Sequence, residues 1–202
     1  MRTVNLVPPA LQRVPTRILF GAGLRHQIKD VIGLLNPDRT VVLYDKGVAH
    51  IAKEVQAGLL DSIGIEVHSG DGSKSLKEVE RITTLMLEGG CSRQTVVVNV
   101  GGGMITDLGG FVAGVFMRGV PCIHVPTSTL GMVDASIGGK NGVNLGSTKN
   151  IIGVIAHPAA VVIDVELLKD LPPAVLAEGL VEVIKIAAIA DESFLAWLEQ
   201  NI

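Results

Sequence analysis

Cysteine is scarce, and the 2 present, Cys91 and Cys122, form no Cys-x-x-Cys pair. That excludes a disulfide framework and a thiolate zinc site, and it fits a reducing cytoplasm. No run reaches the roughly 18 consecutive apolar residues of a membrane span. Met1–Pro15 carries no continuous apolar stretch behind a basic start, so neither a leader nor a membrane partner is expected. Positive charge is not in excess either: 17 Lys and Arg stand against 20 Asp and Glu, a formal net charge of -3, with a pI near 5.9. The lysines are scattered rather than arrayed in runs, which argues against nucleic acid as a partner. Internal repeats and low-complexity tracts are lacking.

What remains is a chain of 202 residues, 48% hydrophobic and 18% charged. That suffices for one α/β domain of ordinary size and is thin for two. The mean hydropathy of +0.46 is high for a soluble chain and points to surface meant to be covered. Short β-branched runs at Arg17 to Phe20, Thr40 to Tyr44, Ile65 to His68, Thr95 to Val100, Pro121 to Val125 and Val161 to Asp164 read as buried strands. Between several of them, Leu24 to Leu35, Val48 to Leu60 and Leu76 to Leu87 repeat apolar residues at helical spacing. This alternation predicts parallel strands joined by crossover helices. After Leu171-Pro172-Pro173 strand signals end, and helical sequence runs from about Ala174 to Ala190 and from Glu192 to Gln200. A domain boundary near residue 173 follows, with residues 1–173 Rossmann-like and 174–202 the first helices of an incomplete helical domain.

Three places carry chemistry. The first is strand-like Thr95 to Val100, then Gly101-Gly102-Gly103, then a helix-compatible run from Met104 through Met117. Glycines let a backbone approach a ligand closely, and free N–H groups at a helix start favour an anion such as a pyrophosphate. A tight turn without ligand is the alternative. Gly109, Gly110 and Gly114 would let the same helix press against a sheet or a cofactor. Upstream, Gly21-Ala22-Gly23 opens like a dinucleotide fingerprint but has His26 where a third glycine belongs, and reads as an ordinary turn.

The second place is Val125 to Asn150, which packs hydroxyls, Asp134, Lys140, Lys149 and asparagines into glycine-rich sequence of poor helical or strand quality. Lysines there can meet phosphate or carboxylate, and Asp134 can fix hydroxyls or a lysine. A solvated loop is the alternative. The third is the helix with Glu178, Glu182 and Lys185 on one face. Spacing alone favours a surface ion pair. Leu180, Val181, Val183, Ile184 and Ile186 shift the expectation towards burial, where charge needs a metal or a partner. One glutamate is no metal site, and none of His26, His50, His68, His124 or His157 has ligand spacing with it.

These motifs together resemble the 3-dehydroquinate synthases. The resemblance rests on Gly101 to Asp107, Met117 to Val120, Val125 to Ser128, the string Val133-Asp134-Ala135-Ser136-Ile137-Gly138-Gly139-Lys140, Lys149-Asn150, and Gly179 to Lys185. A more distant likeness is to the glycerol dehydrogenase group. The resemblance implies a Rossmann-like domain that binds NAD, a helical domain holding a divalent metal (zinc or cobalt), and an active site between them. Asp45 is implied as the adenosine ribose contact, with Gly70, Asp71 and Lys74 as a cofactor loop. Gly101, Gly102, Gly103, Met104, Ile105, Thr106 and Asp107 would hold the pyrophosphate, with Thr127 and Ser128 near the nicotinamide. Lys140 and Lys149 are implied as cofactor or substrate contacts, and Leu167, Leu168, Lys169 and Asp170 as a further cofactor-facing turn. Asp134, Lys140, Asn150 and Lys185 would serve catalysis, Arg118 would be lent to a neighbouring subunit's phosphate site in a homodimer, and Glu182 would be a metal ligand.

In that family NAD takes hydride from a ring carbon of a seven-carbon sugar acid phosphate, phosphate leaves, the hydride returns, and an aldol closure forms the carbocycle. Metal polarises the reacting oxygens and lysines position the substrate. Here Thr106 stands where glycine is usual, Asp71 replaces glutamate, Gly47 an asparagine, and Ala174-Val175 an Arg-Glu pair; Leu145 to Thr148 lacks the usual His-Pro-Leu-Gly. Valiolone- and inosose-forming cyclases differ from the synthases in such places, whereas Gly138-Gly139 before Lys140 favours dehydroquinate. Family members run on well beyond this length to supply two histidine ligands, so the chain by itself is expected to have negligible cyclase activity. An inactive NAD-binding module and a polyol dehydrogenase are the other readings.

Overall fold

A computed structural model describes residues 15–202. The expectation for Met1–Pro15 therefore lies almost wholly outside the described residues. The order is β1 (Arg17–Gly21), α1 (Ile28–Gly33), β2 (Thr40–Asp45), α2 (Ala49–Ala57), β3 (Ser62–Val67), α3 (Leu76–Glu88), β4 (Val96–Gly101), α4 (Gly103–Val115), β5 (Cys122–Pro126), β6 (Lys140–Leu145), β7 (Thr148–Ile155), β8 (Ala160–Asp164), α5 (Pro173–Ala190) and α6 (Glu192–Asn201). Six strands form one sheet in the order β1-β8-β5-β4-β2-β3, and every pairing within it is parallel. The chain is α/β, as expected.

Alternation along the strands divides the core in two. Val41, Leu43 and Val97 join the cluster that α3 and α4 cover, while Val42, Val96 and Val98 join the one beneath α1 and α2. A sheet covered on both faces needs strands that are apolar throughout, and β4, β5 and β8 are buried at every position. β1 departs from the expectation of a buried strand. It lies at the sheet edge with one neighbour, and Ile18 and Phe20 are 52% and 74% exposed.

β3 starts at Ser62 rather than Ile65, because β2 offers a parallel partner to each residue from Ser62 onward. α4 ends at Val115, two residues before the expected Met117. Phe116 is anchored in the core, and Met117, Arg118 and Gly119 turn the chain through positive φ. Gly21 to Gly23 is the ordinary turn expected; its Gly23 N–H is held by the Asp164 carboxylate at 2.9 Å.

The largest correction concerns Val125 to Asn150. It is ordered, with a π-helical turn at Gly131–Ala135 followed by an antiparallel hairpin of β6 and β7. Gly110 and Gly114 allow the hairpin to lie on α4: a Cβ at Gly110 would fall 1.8 Å from Asn141 Oδ1, and one at Gly114 2.8 Å from Val154 Cγ1. Gly109 faces the sheet, where a Cβ would meet Asn99.

β8 is followed only by helices. α5 packs through Gly179 on the residues just before the π-helical turn, where a Cβ would overlap Thr129. The Glu182 helix is buried in part, as expected, at Gly179 and Ala187, but Val181, Ile184, Ile186 and Ile189 are exposed, as is Trp197 on α6. No helix among the described residues is long and apolar enough to cross a membrane.

Candidate functional site

The sheet reverses its direction of growth between β2 and β4. In open parallel sheets such a reversal leaves a crevice beyond the strand carboxyl ends, between helices that leave on opposite faces. Here the crevice is flanked by Asp45 and Gly101, since Tyr44 pairs with Val100. The Asp45 carboxylate accepts from the Gly47 N–H at 2.7 Å and from the Ser69 hydroxyl, and Gly70 follows at φ 105. At Gly101 a Cβ would lie 2.8 Å from Ile105, so the turn into α4 closes only with glycine. Gly102 caps α4 without a side chain, and the first turn holds no acidic residue. The N–H groups of Gly103 and Met104 at its start have no intrahelical acceptor and remain available to an anion, whereas those of Ile105 and Thr106 donate to Gly102 O at 3.1 and 3.2 Å. A pyrophosphate fits that cradle.

Beside this corner lies a cavity of about 460 Å³ lined by Asp107, Asp134, Lys140 and Asn150 among others. These four come from α4, the π-helical turn and both hairpin strands. Lys74, only 5% exposed, reaches in from the loop before α3; its ammonium donates to Asp107 Oδ2 at 2.6 Å and to Asn150 Oδ1. Lys149 pairs with Asp71 at 3.2 Å. Burial raises the Asp107 carboxyl above the ordinary aspartate range, with Asp134 and Asp71 adding to the shift and Lys74 opposing it. The hydrogen bond from Lys149 lowers that of Asp71, with Asn144 also favouring its charged form.

Other expected residues are less directly placed. Thr127 is buried and donates its N–H to Gly101 O at 2.9 Å, while Ser128 Oγ accepts from the Gly131 N–H. The side chains of Ile105, Thr106 and Leu167 are buried, so only their backbone can face a cofactor. Lys169 pairs with Glu166 at 3.6 Å beyond β8, alongside Leu168 and Asp170. Arg118 is exposed past the far end of α4, about 20 Å from the glycine corner at 1.5 Å per helical residue. It does not join the cavity of its own chain. Glu182 and Lys185 form an ion pair across one turn of α5, and Asp134 adds to the field that raises the Lys185 ammonium, second to Glu182. Among the described residues no three His, Cys, Asp or Glu side chains are grouped to hold a metal.

Sequence reasoning passed over Asn144. Its N–H donates to Lys74 O at 2.8 Å, its Oδ1 accepts from the Asn150 N–H at 3.0 Å, and its Nδ2 donates to Asp71 O and Oδ2 at 3.2 and 3.1 Å. The available signal was Gly146-Ser147 between two strand-compatible runs, a two-residue hairpin mark.

Comparison with known proteins agrees with this geometry. The 3-dehydroquinate synthase of Vibrio atlanticus (strain LGP32) is 40% identical over 190 residues, which cover 92% of this chain and 52% of that protein. The chain thus spans about half the length of the curated relatives it matches. The structure of a 2-deoxy-scyllo-inosose synthase complexed with carbaglucose-6-phosphate, NAD+ and Co2+ is 30% identical, with a TM-score of 0.78 over 83% of this chain and 47% of that one. A 2-epi-5-epi-valiolone synthase from Streptomyces hygroscopicus subsp. jinggangensis 5008, with NAD+ and Zn2+ bound, also gives 0.78, at 26% identity, covering 89% and 51%. The sequence model described as 3-dehydroquinate synthase N-terminal matches residues 64–178, and with more than half of its residues inside that match the chain belongs to the 3-dehydroquinate synthase family.

Proposed function

We propose that the chain forms the NAD-binding part of a 3-dehydroquinate synthase, which converts 3-deoxy-D-arabino-heptulosonate 7-phosphate to 3-dehydroquinate and phosphate. The observation that carries the proposal is the meeting of two features: a glycine-lined crevice at the sheet reversal, and a polar cavity opening beside it. Bound there, NAD would supply a reversible hydride acceptor. The first turn of α4 would hold its pyrophosphate and Asp45 its ribose, with Asp71, Lys74 and Asp107 between cofactor and substrate.

Asp134 would accept from substrate hydroxyls, and Lys140 and Lys149 would neutralise phosphate or carboxylate. Asn150 Oδ1 accepts from the Lys74 ammonium. Holding the sugar in one pose supplies much of the rate, because the steps act on neighbouring carbons. Lys185 would contribute from α5, and Arg118 would reach a second subunit in a homodimer. Glu182 would be one ligand of a divalent metal, zinc or cobalt, which would polarise the reacting oxygens; one glutamate alone does not complete such a site. Residues 1–173 form the proposed cofactor domain and residues 174–202 the start of a helical one, in a cytoplasmic enzyme.

A related cyclase of the inosose type is the second reading, favoured by the 30% identity to an inosose synthase. Calorimetric titration of the 202-residue chain with NAD tests the cofactor site, and a heat trace with no binding would overturn it. Phosphate release by the enzyme containing this chain, with heptulosonate phosphate, NAD and zinc, tests the reaction. NADH should not accumulate; net NADH with polyols would mark a dehydrogenase instead.

A further inference from the structure

We infer that Asn144 is a positioning residue that fastens the cofactor loop at Asp71–Lys74 to Asn150 and so sets the Lys74 ammonium between Asp107 and Asn150. The inference rests on the proposed cofactor site and adds a residue to it.

The hairpin is irregular at one place. Val143 pairs with Ile152 and Leu145 with Thr148, so Asn144 alone on β6 faces Lys149, Asn150 and Ile151 on β7. Extra residues on one strand bend it and re-aim a side chain. Asn150 sits in that bulge at φ 53, a left-handed conformation that asparagine tolerates better than most residues. Its N–H points back to Asn144 Oδ1, which holds the bulge closed.

The other end of Asn144 grips the cofactor loop. The backbone forms an isolated bridge from Asn144 to Ser75, and the Asn144 N–H donates to Lys74 O. The side-chain Nδ2 is shared between Asp71 O and Asp71 Oδ2. One amide group therefore spends its acceptor on the bulge and its donors on the loop. No aliphatic side chain can do both, and no carboxylate can donate.

The consequence falls on Lys74. A nearly buried ammonium needs its partners held in place. One of them, Asn150, comes from the bulge, while Lys74 comes from the loop. The Asn144 side chain bonds to both segments, beside the exposed Lys149–Asp71 pair. Without that side chain, the Lys74–Asn150 bond and the exposed Lys149–Asp71 pair are left to hold bulge and loop together, and the cation beside Asp107 is less firmly fixed.

The test compares NAD affinity, by calorimetry, of the 202-residue chain with that of Asn144→Ala and Asn144→Asp. Loss of these bonds should weaken NAD binding roughly tenfold. In Asn144→Asp the new carboxylate faces Asp71, and like charge raises one of the pair above the usual carboxylate value of about 3.9, so its loss should grow as pH rises from about 4 to about 7. Hydrogen exchange at the Asn150 amide should quicken in Asn144→Ala and stay slow in Asn144→Asp, whose carboxylate still accepts that N–H. A role confined to stability would lower the melting temperature without the pH-dependent affinity loss, and that pattern would overturn the inference. Equal NAD affinity in all three proteins would overturn it too. If Asn144→Ala does not fold, the isosteric Asn144→Asp decides. If the unaltered chain binds no NAD, the cofactor site itself fails, and the Asn150 exchange rates still report whether Asn144 holds the bulge.

Discussion

Lys74 and Asp107 meet at 2.6 Å, joining the loop before α3 to the first turns of α4. Lys74 is 5% exposed and Asp107 22%, so water screens the pair only in part. Replacing Lys74 by Met leaves an under-partnered carboxyl that burial already disfavours as an anion. We expect a loss of about 1–3 kcal/mol by urea unfolding, discounted from a fully buried pair for the access of water. The double variant Lys74→Met/Asp107→Asn should recover much of this, because neither charge is left behind.

Gly109 packs α4 against the sheet, where a Cβ would lie 1.8 Å from Asn99 Oδ1. Gly109→Ala should destabilise the chain by about 1–3 kcal/mol, since the neighbour is a buried amide on a central strand. At Gly33, in α1, a Cβ meets nothing within 4 Å. Gly33→Ala should be neutral or stabilising by up to about 1 kcal/mol. Equal effects of the two substitutions in thermal unfolding would contradict this packing.

His124 is 1% exposed on β5, and its Nδ1 lies 3.2 Å from Asn99 Nδ2. Burial lowers its pKa from 6.5 to about 4. Between those values the unfolded chain binds the proton and the folded one does not, so stability is intact above about pH 6.5 and falls as pH drops towards 4. The slope from this group approaches about 1.4 kcal/mol per pH unit within that window. His124→Gln should remove that part of the slope, read as the difference between urea midpoints at pH 7 and pH 5.

Patterns that depend on near neighbours in the chain were legible in the sequence. β2, β4, β5 and β8 announce themselves as β-branched runs, and the glycine corner by its place between a strand and a helix. Of the hairpin only the Gly146-Ser147 turn was legible, because its strands carry Asn141, Gly142, Asn144 and Gly153 and are held by α4 and the bulge rather than by propensity. That part of the Glu182 helix is buried was legible in its apolar residues, but which part is decided by the packing of α5, which lies outside the sheet. The family motif brought Asp134, Lys140 and Asn150 to notice, while the bond from Lys74 to Asp107 links residues whose proximity only the tertiary fold creates.

The pairing of β1 with β8 sets an order on assembly. β1 is made first, yet it has no seat in the sheet until Ala160–Asp164 has emerged from the ribosome. Ile18 and Phe20 therefore stay unpaired until β8 is made, as a sticky extended segment of the nascent chain. Early ribosome-bound intermediates should be recognised by chaperones through this strand, and release from them should coincide with completion of β8.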